Sequence, residues 1–149
     1  MRWSEIDQQT CSVARALSEI GDRWTLLLIR DAFLRARRFD DFVERSGAAR
    51  NVVANRLEKL VASGILERRA YQTRPERHEY RLTEKGRDLY PVIMTLVAWG
   101  DRWHDDGAGP PVRHQHRGCG KRMHAVVACS ECREALDPRE TRVTVRKER

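Results

Sequence analysis

A chain of 149 residues and 17.4 kDa has the length of one domain with a small appendage. At 40% hydrophobic and 34% charged residues it can bury a single core. Its longest nearly apolar stretch, Pro91–Trp99, falls well short of the ~20 residues of a membrane helix, which excludes a helical membrane protein. The opening residues MRWSEIDQQT carry no apolar signal region, so a cytoplasmic protein with no membrane partner is expected. In that compartment the four cysteines read as reduced thiols, metal ligands or a redox switch rather than a disulfide scaffold. The net charge of +7 and a pI near 9.7 point to a polyanionic partner, most simply nucleic acid. That charge is concentrated. Gly47–Arg87 holds ten cationic against five acidic side chains, and Pro110–Arg149 repeats the same balance.

In chain order, Val13, Leu17 and Ile20 give a short amphipathic helix over Cys11–Ile20, closed by Gly21. Asp22 is placed to cap a second helix, Arg23–Leu34, with Trp24, Leu27, Leu28 and Phe33 as its stripe. Phe39, Phe42 and Val43 mark a third, short helix. A fourth runs from about Ala49 to Ser63 with Val53, Leu57, Leu60 and Val61 on one face. The period then changes. Ile65–Arg69 and His78–Leu82 are strands flanking the polar, cationic turn Gln72–Arg77, a hairpin. Thr83 can cap a long helix from Glu84 to about His104, which Pro91 should kink or divide.

Residues 107–111 are a linker by composition, following a domain over 1–106. Beyond them, 112–149 is a small extension bearing Cys119, Cys129, Cys132 and three histidines, with strands expected at Val126-Val127 and Thr141–Val145.

This order predicts a mainly α protein with a small β wing: a winged helix-turn-helix domain plus a small β-rich C-terminal extension. A helix fits the DNA major groove and presents its N-terminal half to base edges. On the fourth helix, Arg50, Asn51, Ala54 and Asn55 lie away from the apolar stripe. Arg suits guanine and Asn suits adenine. Arg74 and Arg77, at the hairpin tip, are placed for phosphate or an adjacent minor groove. The competing reading makes Asn51 and Asn55 solvated helix polars and Arg56 an internal ion-pair partner.

Several segments together resemble the HxlR-type transcriptional regulators, a branch close to the MarR regulators. They are Cys11-Ser-Val-Ala-Arg-Ala-Leu17 with Ile20-Gly-Asp-Arg-Trp24, Arg38-Phe39-x-x-Phe42 and Asn55-Arg-Leu-x-x-Leu60. Gly64-Ile-Leu-x-Arg68, Tyr71-x-x-x-Pro75-x-Arg-x-Glu79-Tyr-x-Leu-Thr83-x-Lys-Gly86, Leu89-x-Pro-Val92 and Trp99-Gly-x-x-Trp103 complete the match, which covers some two thirds of the chain. The resemblance implies a homodimer joined through its first and last helices, with the fourth helix in the major groove of a double-stranded DNA operator. The apolar row of Val92, Leu96, Trp99 and Trp103 agrees with such a dimer. Two positions depart from the pattern: Ala49 stands where the family commonly has Ser, and Ser12 where Pro often follows the cysteine.

Cys11 sits at the start of the first helix, where an anion is favoured. Several HxlR-type regulators use a cysteine there to sense oxidants or electrophiles, so redox sensing by Cys11 is one expected switch. A small-molecule effector in a dimer-interface pocket lined by Trp24, Trp99 or Trp103 is the other. In the extension, His116-x-x-Cys119 and Cys129-x-x-Cys132 have the spacing of a structural zinc site, with His114 and His124 as alternative fourth ligands. A metal-free β-unit and redox chemistry among these thiols remain open beside it. No motif places an activating base, phosphate loop or cofactor fingerprint, so no enzyme activity is expected. The leading function is a dimeric, sequence-specific regulator of transcription. The alternative is an interaction adaptor whose extension contacts another protein, with DNA binding secondary.

Overall fold

The computed structural model describes residues 11–144. The elements are α1 (Ser12–Ile20), α2 (Arg23–Phe33), α3 (Phe39–Ser46), α4 (Arg50–Ala62), β1 (Leu66–Thr73), β2 (Glu76–Leu82), α5 (Glu84–Arg87), α6 (Tyr90–Trp103), β3 (His114–Gln115) and β4 (Arg122–Met123). The chain divides into two compact units, Met1–Ile93 and Met94–Arg149. No helix is long and apolar enough to cross a membrane, among the described residues.

The first unit is a winged helix-turn-helix. Its core is built where the helical stripes converge: Leu28 and Ile29 of α2, Phe42 of α3 and Val53, Leu57 and Leu60 of α4 are buried, with Ile65 and Leu66 closing it from the wing. Each such side chain contributes roughly 1.5–3 kcal/mol by leaving water. Asp22 caps α2 as the sequence predicts, accepting from the backbone N–H of Trp24 (3.0 Å) and Thr25 (3.3 Å). At the other end of α2, Arg37 Nη1 donates to the carbonyls of Ala32 and Ala36, both at 3.0 Å. The Ala32 carbonyl also accepts from the Arg35 N–H at 3.2 Å, so backbone and side chain together satisfy the helix end.

The wing is longer than its hydrophobic pattern predicts. Strands β1 and β2 pair antiparallel from Leu66↔Leu82 to Thr73↔Glu76, with a register shift between Ala70 and Gln72. The turn shrinks to Arg74-Pro75, joined by a cis peptide bond. Alternation fails to reveal these outer residues because both faces of the hairpin tip are exposed, so nothing selects apolar side chains there. The wing root is tied back by the Tyr80 N–H, which donates to the Arg37 carbonyl at 2.7 Å. The Tyr80 ring meets Phe42 edge-on.

Pro91 divides the last helix, as expected, into α5 and α6. It stands second in α6, where a missing N–H removes no helical hydrogen bond. Thr83 caps α5 by accepting from the Gly86 N–H at 3.1 Å.

In the second unit, Asp105 and Asp106 fold the linker over their own carboxylates, accepting from the N–H groups of Gly107, Gly109 and Ala108. The short strands β3 and β4 pair antiparallel, and an isolated bridge joins Ala128 to Ala135. The expected strand at Val126-Val127 does not form; only the Val127 carbonyl takes part, accepting from the Leu136 N–H beside that bridge. Residues 141–144 have no regular structure, and Val145 lies outside the described residues. Both segments are exposed, so their β-branched side chains find no sheet face to pack on.

Candidate nucleic-acid interface

Helix α4 is held by one face and open on the other. Val53, Leu57 and Leu60 lock it into the core, while Arg50, Asn51 and Asn55 are exposed and Ala54 is half-buried. The turn before it uses the Ser46 hydroxyl, which accepts from the Ala48 N–H at 3.2 Å. Ala49 is the N-cap and supplies no side-chain bond, so the N–H groups of Arg50 and Asn51 keep their donor capacity. Such a helix start is favourable for a phosphate oxygen.

Arg50 is pre-oriented. Its Nη1 lies 2.8 Å from Asp40 Oδ1 and its guanidinium stacks over the Phe39 ring at 4.8 Å. Both members of the ion pair are largely exposed, so it contributes little in water and yields readily to a nucleic-acid partner. The Asn51 side-chain oxygen accepts from the Val52 N–H at 2.9 Å, and Asn55 Oδ1 accepts from Arg56 Nη1 at 2.6 Å. Arg56 itself turns inward onto Asp22, the internal pairing that competed with a DNA role in the sequence. The Arg56 guanidinium, outweighing burial, holds the Asp22 carboxyl below the usual carboxylate range, helped by the N–H groups of Thr25 and Trp24.

The wing sorts its cations. Arg68 lies 3.1 Å from His78 Nδ1, and Arg69 and Arg81 pair with Glu67 and Glu79. Arg74 and Arg77 are exposed and form no ion pair among the described residues. Arg74 occupies the tip. Arg77, expected there too, lies inside β2 opposite Gln72. Sequence reading missed Arg38, exposed at the N-cap of α3, whose guanidinium lies 4.9 Å from the Tyr71 ring at the bulge of β1. Its signals were its place in a run of three arginines interrupted by Ala36 and in the segment Arg38-Phe39-x-x-Phe42.

Cys11 is the N-cap of α1, exposed, and its thiol makes no capping bond. On α6, Leu96, Trp99 and Trp103 are exposed. The opposite face of α6 carries Met94, Val97, Ala98 and Asp101, which with Val112, Arg113, Arg122 and Met123 line a cavity of about 630 Å³. Trp24, Trp99 and Trp103, expected to line a pocket at a dimer interface, do not line this cavity within one chain. The side chain of His114 enters this wall with a buried Nε2 that has no partner among the described residues.

The cysteines of the extension are only partly brought together. Cys129 and Cys132 share one turn, where the N–H groups of Cys132 and Glu131 face the Cys129 sulfur and lower its pKa, aided by the Cys132 thiol. His116 and Cys119 share another turn. Among the described residues, no three His, Cys, Asp or Glu side chains gather in a set that could hold a metal ion.

A core-seated helix presenting Arg and Asn, followed by a cationic two-stranded wing, defines a winged helix-turn-helix regulator of transcription. The chain belongs to the HxlR-like helix-turn-helix family, which matches over residues 19–108. It is 43% identical over 128 residues to the uncharacterized HTH-type transcriptional regulator Rv3095 of Mycobacterium tuberculosis, covering 86% of this chain and 81% of that one. The crystal structure of PA1607 superimposes with a TM-score of 0.82 at 34% identity, covering 93% of this chain and 96% of the other. The oxidized form of the redox regulator HypR superimposes with a TM-score of 0.59 at 31% identity, over 64% of this chain and 99% of HypR.

Proposed function

We propose that this protein acts in the cytoplasm as a homodimeric, sequence-specific regulator of transcription. Helix α4 lies in the major groove, and the wing rests on the backbone or the neighbouring minor groove. The observation that carries this reading is the division of α4. Its inner face and Arg56 are fixed to the core, while Arg50, Asn51 and Asn55 stand in solvent at its start. Rigidly held side chains of these types can discriminate guanine and adenine by about 1–3 kcal/mol per bidentate contact. Exposed Leu96, Trp99 and Trp103 on α6, with Val13 and Leu17 on α1, supply apolar surface that a second copy buries. Selecting bound sites from random double-stranded DNA tests the proposal. Enrichment of a two-fold-related sequence supports it; uniform binding at every sequence refutes it in favour of the adaptor reading.

The switch fits Cys11. The chain resembles a redox regulator over the winged domain, and its own exposed cysteine opens α1. Oxidation or alkylation there changes the group at the start of a helix whose Val13 and Leu17 face solvent. The cavity beside α6 offers the competing device, a seat for a small-molecule effector with an apolar floor and an arginine rim.

A further inference from the structure

The two turns that carry the metal-type residues of the extension are the same turn built twice. In the first, the Gly120 N–H donates to the His116 carbonyl at 2.8 Å and the His116 N–H to the Lys121 carbonyl at 2.9 Å. In the second, the Arg133 N–H donates to the Cys129 carbonyl at 3.0 Å and the Cys129 N–H to the Glu134 carbonyl at 2.8 Å. Residue one bonds to residues five and six in both. The fifth residue is left-handed in both, Gly120 at φ 68° and Arg133 at φ 66°. Glycine adopts that region freely and arginine rarely does, so the second turn is closed against its own side-chain preference. Each turn is also the tip of a hairpin, β3·β4 around the first and the Ala128·Ala135 bridge around the second.

A second observation is independent of the first. From residue 107 to residue 144 every residue, taken as a whole, is half-buried or exposed, and Val126, Val127, Leu136 and Val143 are all exposed. Hydrophobic burial therefore contributes little to holding this segment in a single arrangement. Segments of this size without a core are characteristically fixed by a cross-link or a metal.

We infer that the extension is a zinc-binding unit, with His116 and Cys119 from the first turn and Cys129 and Cys132 from the second as its four ligands. Positions one and four of a tight turn supply a pair of ligands to one ion, and two such pairs complete a tetrahedron. Three thiolates and one imidazole are a soft donor set that selects zinc over magnesium or calcium. Binding releases one proton from each thiol that enters as thiolate, and His116 enters as neutral imidazole. With four protein ligands the ion has no open position, so its role is structural. The turns are ready-made, but the four side chains are not drawn into one cluster, and the ion closes the hairpins onto each other.

The test uses the full-length chain and is independent of DNA binding. Native mass spectrometry with and without chelator, and cobalt(II) titration of the stripped protein, count the ion and report its geometry. One zinc per chain and the intense visible absorption of tetrahedral cobalt–thiolate are expected. Cys119→Ser, Cys129→Ser and Cys132→Ser should each lower zinc affinity at least tenfold. His116→Ala should do the same, while His114→Ala and His124→Ala leave it unchanged. Retention of the thermal transition of the winged domain separates metal loss from global unfolding. A metal-free chain that takes up no cobalt overturns the inference. Undiminished zinc in Cys119→Ser and His116→Ala overturns the two-turn site, and loss on His114→Ala or His124→Ala overturns the choice of His116.

Discussion

The guanidinium of Arg56 grips both carboxylate oxygens of Asp22, with Nε 2.9 Å from Oδ1 and Nη2 3.0 Å from Oδ2. Asp22 is at the same time the N-cap of α2. One carboxylate thus starts α2 and fixes α4 against it, across 34 residues of sequence. The exposed face of α4 is positioned by a contact made on its inner side.

Breaking this contact should loosen α4 without removing Arg50, Asn51 or Asn55. Asp22→Ala is expected to destabilise by about 1–3 kcal/mol, the combined loss of a cap and a charged hydrogen bond, moderated by the partial exposure of Asp22. Chemical denaturation measures it. Arg56→Met should give a smaller loss, since the cap survives. Equal stability of wild type and both variants would contradict the role assigned here.

The same group sets an acid limit. Asp22 is lowered chiefly by Arg56, and Asp41 by the backbone N–H groups of Arg38 and Arg37. A lowered folded pKa adds stability above the unfolded value near 3.8 that is lost as pH falls through the folded values. Asp31 works oppositely: burial, against the pull of Arg30, raises its pKa, so it removes stability as pH rises from 3.8. Thermal melts should show stability falling below about pH 4, and Asp22→Ala should shallow that fall.

Gly86 packs under the wing so closely that an added Cβ would stand 2.2 Å from the Ile65 carbonyl oxygen. Gly86→Ala should therefore destabilise by about 1–3 kcal/mol despite alanine's better helix propensity. Ala49→Ser is the converse: a hydroxyl at an extended N-cap that lacks one should add about 0.5–2 kcal/mol. Calorimetry distinguishes the two directions in one experiment.

Arg74→Ala and Arg77→Ala should weaken binding across all DNA sequences and each reduce the salt slope by about 1. Titrations at several salt concentrations check this. Because Arg77 sits within β2 rather than at the tip, its effect should be the smaller one. An unchanged slope in both would remove the wing from the phosphate backbone.

Much of this was legible in the sequence, and the pattern of what was not has a physical cause. Asp22, Thr83 and Pro91 act through local backbone chemistry, which one-dimensional spacing reveals. The buried stripes of α2 and α4 follow from helical periodicity for the same reason. Arg56's partner was hidden because side-chain pairing across 34 residues leaves no periodic trace. The outer wing and the extension were misread because their side chains face water on both sides, so hydrophobic alternation no longer reports register. Arg133 shows the limit most sharply: no propensity places arginine at φ 66°, yet the turn requires it there.

Cys11 is the exposed N-cap of α1 and the thiol of the winged domain. Treatment with a thiol oxidant or electrophile should change the operator affinity of the wild type and leave Cys11→Ser unresponsive. Band-shift titrations read the difference. Loss of affinity in the variant to the same extent would move the switch to the thiols of the extension.

The central claim is that α4 reads base sequence, and the most direct measurement compares specific with non-specific affinity for the wild type, Arg50→Ala and Asn51→Ala on a selected operator. Each variant should lose about 1–3 kcal/mol of specific binding while its affinity for unrelated DNA stays nearly unchanged. Equal losses on operator and unrelated DNA would show that α4 contacts only the backbone, and the account of sequence reading would fall.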